Sequence, residues 1–300
     1  MFIPIRLFTS ELMKKSDNKD FYQKNWQLIV KLLKVDRTHC IHHGYYEKKI
    51  RTHLQAVNNL NNLVDSLLGL KKDKTKTKKI LDAGCGIGGT VVYLAEKYPT
   101  AKFTGITKVP EHIKLAKNYA EEKQVTANTD FILKDFTNTS FSDNQFEVVY
   151  LVESSCYAPD KQILIKEMQR ILKPNGTLII IDIFLTNIKQ NYFIKNIYKW
   201  FCKGWGLPNL IKLEEFKDSL KTEGFHEITE RDLTKNITRT IFRGDIQSIP
   251  YLIPIIIKKI FLGKRYKITE DLKFIGIVPI LATLLGIKKA MTYNVITAFK

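Results

Sequence analysis

A glycine-rich turn between an apolar strand and a helix restricts the architecture of this chain more than any other stretch. Residues 80–89 read ILDAGCGIGG, and an apolar, helix-forming run begins at Thr90. Glycines at such a turn let the backbone bend tightly and let a nucleotide-like ligand approach it closely. They alternate at positions 84, 86 and 88, whereas the dinucleotide-binding fingerprint keeps two residues between its second and third glycines. The spacing therefore favours an adenosine that carries an amino acid over a pyrophosphate.

Short apolar runs alternate with helical stretches from residue 79 onward. The predicted strands are 79–82, 102–106, 129–134, 146–151 and 177–184, separated by helices at 90–98, 110–122 and 161–172. Two further strands, at 226–232 and 292–299, would complete the sheet. The pattern predicts an α/β fold with a doubly wound, mostly parallel seven-stranded sheet. The last of the three helices is expected to stop at residues 174–176, PNG, with the glycine taking a left-handed exit.

The segments outside this core are predicted to be helical. We expect an N-terminal helical lid and linker over 1–75, a ligand-binding core over 76–185, and a substrate cap over 186–300 that also supplies the last two strands. Helical spacing is seen at Trp26, Ile29, Val30 and Leu33 and again at Leu60, Leu63, Val64 and Leu67, so residues 1–70 are read as helical. A Lys/Thr run at 71–79 is read as the linker, and 240–289 as a helical insertion in the cap.

Composition narrows the classes of partner. The formal charge of +18 favours an anionic partner, but no base-reading motif accompanies it, so nucleic-acid binding is not expected. Cys40, Cys85, Cys156 and Cys202 are scattered, which suits a reducing compartment such as the cytoplasm. Residues 1–16 are too interrupted for a secretory signal, so we expect an unprocessed chain.

Five stretches together resemble one enzyme family. The turn at 80–89 resembles the first motif of class I S-adenosylmethionine-dependent methyltransferases, in detail the subgroup of gamma-tocopherol and sterol side-chain methyltransferases. Residues 41–46 (IHHGYY), 103–112 (FTGITKVPEH), 152–161 (VESSCYAPDK) and 291–297 (MTYNVIT) are similar to that subgroup's lid, second strand, fourth-strand loop and last strand. The resemblance implies a Rossmann-like fold whose core, 76–185, binds S-adenosylmethionine.

The resemblance also implies which residues hold the methionine end of the cofactor. Gly84, Gly86 and Gly88 would pass beneath it, and Asp82 would position it. Tyr45 and Tyr46 would form a lid over the sulfonium, a contact favoured by cation–π attraction, although both could instead be core aromatics.

The nucleoside end is assigned by the same resemblance. Thr107 and Lys108, with His112, follow the second strand, where relatives hold the ribose hydroxyls and often place an acid that this chain lacks. Asp135 would accept from the adenine amino group and Phe136 would contact the ring edge. The alternative for Asp135 is an acid that only starts a turn.

Methyl transfer needs few obligatory catalytic groups, because alignment of the acceptor at about 3 Å and exclusion of water supply most of the effect. Where a base is needed, the candidates are Glu153, Tyr157 and His43, with His42 beside it; Glu153 is also assigned to the cofactor. Relatives usually have His at the position of Tyr157. A tyrosine with a pKa of about 10 is a poor base, so Tyr157 is better suited to donate a hydrogen bond or stabilise a cation. His42 and His43 have no evident third ligand, so no metal is expected, and Cys156 is read as a packing residue.

The C-terminal part indicates the acceptor. Aromatic residues between 192 and 205 and apolar residues between 251 and 287 favour an apolar small molecule, with ordinary cap packing as the alternative. The apolar run at 274–287 has 14 uncharged residues, short of the roughly 18 of a membrane span. Ten Lys or Arg against three acids over 241–300 suggest peripheral association with an anionic membrane.

The predicted function is therefore methylation, at carbon, oxygen or nitrogen, of an apolar acceptor such as a prenylated phenol, a terpenoid or a sterol-like lipid. The alternatives are a lipid-modifying enzyme like a cyclopropane synthase and a catalytically silent binding module of the same fold. The sequence leaves the acceptor and the oligomeric state open.

Overall fold

Seven strands form a single sheet at the centre of the protein, seen here in a computed structural model that describes residues 30, 35–70, 78–187, 191–262, 280–286 and 289–300. The strands are β1 (Lys79–Ala83), β2 (Lys102–Thr107), β3 (Thr129–Leu133), β4 (Phe146–Val152), β5 (Leu172–Leu185), β6 (His226–Asp232) and β7 (Met291–Phe299). Their order is β3-β2-β1-β4-β5-β7-β6; β1 to β5 are parallel, and β7 runs antiparallel to both β5 and β6. The predicted doubly wound, mostly parallel fold is confirmed.

The strand order places the ligand-binding edge. The chain leaves β1 toward β2 on one side, while β4 lies on its other side. The carboxyl ends of β1 and β4 therefore flank a topological switch point, where open α/β sheets bind their ligands.

Helices cover both faces of the sheet, and their ends follow local capping chemistry. The helices are α1 (Val35–Thr38), α2 (His53–Leu67), α3 (Gly89–Lys97), α4 (Pro110–Glu122), α5 (Lys161–Ile171), α6 (Tyr192–Gly204), α7 (Leu213–Thr222) and α8 (Thr234–Leu262), with a 3₁₀ turn at Ser155–Tyr157 and a helical stretch at 280–286. Thr52 and Gln55 form a reciprocal capping box at the start of α2. The Asp160 carboxylate accepts from the backbone N–H groups of Gln162 and Ile163 at the start of α5.

The reading of residues 1–70 as helical is wrong for 39–52, which joins α1 to α2 without helix. His39 ends α1 with a φ of 49°. The backbone that follows bonds to distant elements: the Gly44 N–H donates to Thr240 Oγ1 and the Tyr46 N–H to the Asn236 carbonyl. Leu60, Leu63 and Val64 lie buried in α2 as predicted, with Leu67 packed partly against the core. Of the other apolar residues at helical spacing, Trp26, Ile29 and Leu33 lie outside the described residues.

The end of α5 also differs from the sequence prediction. The helix ends at Ile171, and Leu172 is already extended with a ψ of 140°. The left-handed residue is Asn175, with a φ of 61°, and not Gly176. A Cβ on Gly176 would lie 2.7 Å from the Lys173 carbonyl, so the glycine is needed for close backbone approach.

The helical insertion predicted at 240–289 begins earlier than expected. Helix α8 begins at Thr234, six residues before the predicted insertion. Of the predicted linker, 71–77 lies outside the described residues, as do 274–279 and 287 of the apolar run. No helix among the residues that the structure describes is long and apolar enough to cross a membrane.

Three apolar clusters hold the fold together. Successive side chains of β1 point to opposite faces of the sheet and so belong to different clusters. Ile80 packs in the first cluster, beneath α2, α3 and α4, and Leu81 packs in the second, beneath α5 and α7. The third cluster joins α1, α6 and 280–286 to Ile87 and Cys156. Because Ile87 belongs to the glycine-rich turn and Cys156 to the loop after β4, this third cluster, called the cap cluster below, lies over the switch point of the sheet.

Candidate functional site

The glycine-rich turn lies at the carboxyl end of β1 and is shaped by its neighbours. The backbone N–H groups of Gly84 and Cys85 both donate to the Ile106 carbonyl on β2, over 3.0 and 2.9 Å. Gly84, Gly86 and Gly88 have φ values of 127°, 52° and 84°, in the region that favours glycine. The hydrogen bonds to β2 and the positive φ values of the glycines thus hold the turn against the sheet.

The three glycines have different surroundings. A Cβ on Gly84 would lie 2.2 Å from the Ser154 Cβ, and one on Gly88 would lie 2.8 Å from the Phe131 ring. A Cβ on Gly86 would meet only the Ile41 side chain, at 3.3 Å. Gly84 and Gly88 are therefore required by packing, while Gly86 is the glycine at which the backbone is least closed off by the protein. The turn fits a ligand that lies directly on its backbone.

Asp82 lies buried beside this turn, opposite Tyr150 in the neighbouring strand β4. Burial raises the pKa of Asp82 to about 7, against the effects of the Tyr150 hydroxyl and of His42, which favour the charged form. A cationic partner brought next to such a buried carboxyl group would stabilise its ionised form. Asp82 can thus receive the ammonium group of an amino-acid-bearing ligand.

Glu153 is the centre of a second polar cluster. Its Oε1 accepts three hydrogen bonds: from His43 Nδ1 at 2.8 Å, from the His43 backbone N–H at 2.8 Å, and from the Tyr293 hydroxyl at 2.7 Å. Burial would raise the pKa of Glu153, but His43 and His42 lower it overall. The same pairing, opposed by burial, raises the pKa of His43. Glu153 is therefore a carboxylate at neutral pH and holds the His43 ring in place.

The cluster adjoins the glycine-rich turn through the next residue in the chain. Ser154 packs against Gly84, and its hydroxyl donates to the Ala83 carbonyl over 2.8 Å. Glu153 itself has a φ of 52°, a strained value for a residue with a side chain. This backbone turn carries Glu153 from β4 to His43.

His42 ties the segment before α2 to the first turn of α3. Its Nδ1 lies 2.9 Å from the His43 carbonyl, and its Nε2 lies 3.1 Å from Asn61 Oδ1, which also accepts from the Thr90 hydroxyl over 2.9 Å. Burial would lower the pKa of His42, but the Cys40 sulfur and Glu153 raise it to about 9. Because each ring nitrogen faces an oxygen, the protonated ring is the form that this setting favours.

A buried scaffold supports the loop after Glu153. Asp182 on β5 accepts from the Ser155 hydroxyl over 2.6 Å and from the Cys156 N–H over 2.9 Å. The buried Lys161 ammonium donates to the carbonyls of Cys156, Ala158 and Asn209. These bonds fix Tyr157 between the second apolar cluster and the cap cluster, where a substrate wall is expected.

The residues predicted to bind the nucleoside follow β2 and β3. Lys108 Nζ and Asp135 Oδ2 form an ion pair over 3.0 Å, and Asp135 Oδ1 accepts from the Thr137 N–H and hydroxyl. Burial would raise the pKa of Asp135, but Thr137 and Lys108 lower it overall, so it is an ionised acceptor. Asp135 thus closes a turn, and its contact with adenine remains a prediction.

Other predicted cofactor residues are engaged within the protein. Thr107 Oγ1 accepts from the Val109 N–H over 3.3 Å at the start of α4. His112 is buried, and burial lowers its pKa to about 4, so it is neutral at pH 7. Phe136 packs in the second apolar cluster. Their roles in binding the ribose and adenine stay predictions.

The two tyrosines of the predicted lid have different partners. The Tyr45 ring packs in the first apolar cluster, and its hydroxyl donates to Glu47 over 3.1 Å. The Tyr46 ring faces the Arg239 guanidinium of α8, whose carbon lies 4.6 Å from the ring centre. Cation–π stacking is thus present at Tyr46, but with an arginine of this chain; contact of either ring with a sulfonium remains a prediction.

Sequence reasoning missed two members of the site. Tyr293 lies in the last strand, and its register opposite Ile183 carries it to Glu153 from 140 positions along the chain. Ser154 supplies the contact that requires glycine at position 84. Both residues lie in stretches that resemble family motifs, 152–161 for Ser154 and 291–297 for Tyr293, but neither was assigned a role.

Groups of three or more His, Cys, Asp or Glu able to hold a metal ion are absent from the described part of the chain. His42 and His43, which were considered as ligands, lie in a non-helical segment. They face Asn61 and Glu153.

Comparisons with known proteins agree with this geometry. The sterol 24-C-methyltransferase erg-4 of Neurospora crassa is 30% identical over 181 residues, which are 60% of this chain and 46% of that protein. The chloroplastic tocopherol O-methyltransferase of Arabidopsis thaliana is 28% identical over 210 residues, 66% of this chain and 60% of that protein. The chain thus matches less than two thirds of the length of either relative.

A solved structure and a family of domains also match the chain. The cyclopropane synthase MmaA2 of Mycobacterium tuberculosis superposes with a TM-score of 0.75 over 94% of this chain and 97% of that chain, at 16% identity, which shows a shared fold. The methyltransferase domain family matches residues 74–241, more than half of the 300 residues. With its glycine-rich turn and switch-point site, this chain belongs to the methyltransferase domain family.

Proposed function

We propose that this protein transfers a methyl group from S-adenosylmethionine to an apolar small molecule. The main observation in support is that the His43–Glu153–Tyr293 cluster adjoins the glycine-rich turn through the contact of Ser154 with Gly84. A ligand laid on the turn therefore lies next to a carboxylate and an imidazole at the switch point of the sheet.

The residues present suit S-adenosylmethionine. The turn at Gly86 accepts close approach, Asp82 offers a buried carboxyl group to an ammonium, and Asp135 offers an ionised acceptor at the end of β3. When bound, this cofactor would supply a methyl group on a cationic sulfur; an aligned acceptor would take the methyl group, and the sulfur would leave as a neutral thioether.

Within this proposal His43 is the base for an acceptor that must lose a proton. Its Nδ1 donates to Glu153, so the neutral ring keeps its lone pair on Nε2, the nitrogen that can accept a proton. Glu153 fixes the tautomer and stabilises the imidazolium that forms, as a carboxylate does for an imidazole base. Tyr293 holds the same carboxylate oxygen and thereby orients it.

The acceptor is proposed to be a prenylated phenol, a terpenoid or a sterol-like lipid. The cap cluster over the switch point is apolar, and relatives named for sterol, tocopherol and 2-methyl-6-phytyl-1,4-hydroquinone methylation support this class. Tyr157 lies at the edge of that cluster and would contact the acceptor. We further propose a cytoplasmic protein that meets its acceptor at a membrane surface, in keeping with four free cysteines and the basic C-terminal region.

Isothermal titration calorimetry tests the cofactor directly. The purified protein should bind S-adenosylmethionine and its demethylated product, and Asp82→Ala should weaken binding of both because their ammonium group loses its partner. Asp130→Ala, an exposed acid on β3, is the matched control. Absence of binding by the folded wild-type protein would overturn the proposal.

A further inference from the structure

Helix α8 exposes an apolar stripe on one face. Its exposed fractions are 60% at Phe242, 53% at Ile246, 51% at Ile249 and at Ile253, 49% at Ile257 and 73% at Ile260. The steps between these positions are three or four residues, so the side chains lie along one side of the helix. An apolar face of this length, left in water, is a surface for a partner.

The first two turns of α8 are anchored in the protein, unlike the stripe. Ile237 is buried in the first apolar cluster, and the Asn236 side chain donates to the Tyr46 carbonyl over 2.8 Å. Thr240 Oγ1 bonds to both backbone groups of Gly44, at 3.0 and 3.1 Å. The beginning of α8 is therefore hydrogen-bonded to the segment that carries His43, and the side chains of the stripe on its later turns are exposed to solvent.

Charge identifies the kind of partner. A groove on α8 is lined by Arg239 and Arg243 together with Phe242 and Ile246, so that guanidinium groups border apolar side chains. Residues 241–300 contain ten Lys or Arg against three acids. A second copy of such a surface would bring like charges together, whereas an anionic phospholipid surface supplies both phosphates and acyl chains.

We propose that α8 lies in the surface of an anionic phospholipid bilayer, with its apolar stripe inserted between the lipids and Arg239 and Arg243 at the headgroups. Pro250 and Pro254 lie within this helix, and each removes a backbone donor. The anchored first turns place the candidate site against the bilayer, where an apolar acceptor is dissolved; this last step rests on the proposed function.

Vesicle flotation of the full chain tests the surface. The wild-type protein should float with phosphatidylcholine vesicles that contain phosphatidylglycerol and not with phosphatidylcholine alone, and added salt should weaken binding. The triple variant Ile246→Ser, Ile253→Ser, Ile257→Ser should partition about a hundredfold less, since three large apolar side chains no longer enter the lipid.

A matched control removes apolar side chains of similar exposure elsewhere. Leu54→Ser, Leu115→Ser, Ile163→Ser changes three other helices, where the exposed fractions are 44%, 36% and 53%, and should float like the wild type. Equal flotation of the α8 variant and the wild type would overturn the inference. So would wild-type protein that stays off anionic vesicles while sedimentation velocity shows self-association lost in the α8 variant, which would assign the stripe to a second copy.

Cofactor calorimetry on the same samples separates this inference from the proposed function. Wild-type protein that binds S-adenosylmethionine but no vesicles contradicts only the membrane surface. Protein that floats but does not bind the cofactor contradicts only the methyltransferase proposal. The α8 variant should keep wild-type cofactor affinity, because none of its three changes lies at the glycine-rich turn.

Discussion

His43 donates from Nδ1 to the Glu153 carboxylate over 2.8 Å, and the same carboxylate oxygen accepts from the His43 backbone N–H. The two bonds hold the carboxylate against both the ring and the backbone of His43, and the tautomer of the ring is set by the acceptor that Nδ1 faces. This relationship joins the segment before α2 to the loop after β4. It underlies the first three predictions below.

Replacement of the imidazole should separate catalysis from cofactor binding. His43→Gln removes the proposed base and should lower turnover by about 10²- to 10⁴-fold with an acceptor that must lose a proton. Cofactor affinity in calorimetry should change little, because Asp82 and the glycine-rich turn remain. His226→Gln, at an exposed histidine on β6, is the control and should retain full turnover. Wild-type turnover in His43→Gln would remove His43 from the mechanism.

The pH profile of turnover should report the same pair. Burial would lower the pKa of His43, but Glu153 raises it above the usual 6.5. Since the base acts in its neutral form, turnover should rise with pH through a limb centred above 6.5. Glu153→Gln removes the negative charge, so the limb should move to lower pH. A limb that stays in place would show that another group controls it.

Stability should depend on pH in a window set by both partners. His43 has a raised pKa in the folded state, so its contribution is complete below 6.5 and is lost as the pH rises through the folded value. Glu153 has a lowered pKa, so its contribution is complete above 4.5 and is lost as the pH falls through the folded value. Urea unfolding should therefore show the largest destabilisation by Glu153→Gln, about 2 kcal/mol, near pH 5.5, and a smaller one near pH 9.

Glu96→Gln, at an exposed acid on α3, is the control for that experiment. Its effect on the free energy of unfolding should be small at both pH values. A Glu153→Gln effect that is larger near pH 9 than near pH 5.5 would contradict the pairing.

Asp82 should destabilise the cofactor-free protein at alkaline pH. Its folded pKa of about 7 exceeds the usual 3.8, so the folded state holds the proton more tightly and stability falls as the pH rises between these values. Asp82→Asn should then raise the free energy of unfolding at about pH 8, by at most about 4 kcal/mol, while cofactor affinity falls. Asp130→Asn should do neither. Denaturant unfolding and calorimetry measure the two effects, and a loss of stability in Asp82→Asn would contradict a carboxyl group whose burial outweighs its partners.

The contact of Gly84 with Ser154 predicts a strong steric effect. Gly84→Ala would place a Cβ 2.2 Å from the Ser154 Cβ and should lower the free energy of unfolding by about 3 kcal/mol or more. Gly69→Ala is the control: this glycine also has a positive φ, 64°, but nothing lies within 4 Å of its added Cβ, so it should show backbone strain of about 1 kcal/mol alone. Ser154→Gly in the Gly84→Ala background should recover most of the difference. A Gly84→Ala effect no larger than that of Gly69→Ala would contradict the close contact.

Elements with local signals could be predicted from the sequence. The bounds of α4, Pro110–Glu122, and of β6, His226–Asp232, agree with the prediction, because Pro110 opens its helix and the β6 pattern is set by its own residues. The end of α5 could not be placed, since Leu172 leaves the helix to pair with Phe146 of β4 before Pro174 is reached. Tertiary pairing there overrode the proline signal.

The candidate site divides in the same way. Asp82, Glu153 and His43 could be named because they lie in short motifs, and the structure brings Glu153 and His43 together from 110 positions apart. The partner of Tyr46, Arg239, has no such motif, since it depends on where α8 crosses the segment before α2. Tyr293 lies in the matched stretch 291–297, but its contact with Glu153 depends on the β5–β7 register. Contacts between distant elements are set by packing, which sequence spacing does not encode.

Transfer of a labelled methyl group measures the central claim most directly. The protein is incubated with S-adenosylmethionine labelled on its methyl group and with a fractionated lipid extract, and the labelled product is identified by mass spectrometry. The account predicts label in an apolar small molecule with the wild-type protein and far less with His43→Gln. Label in no lipid fraction, from protein that binds the cofactor, would contradict it.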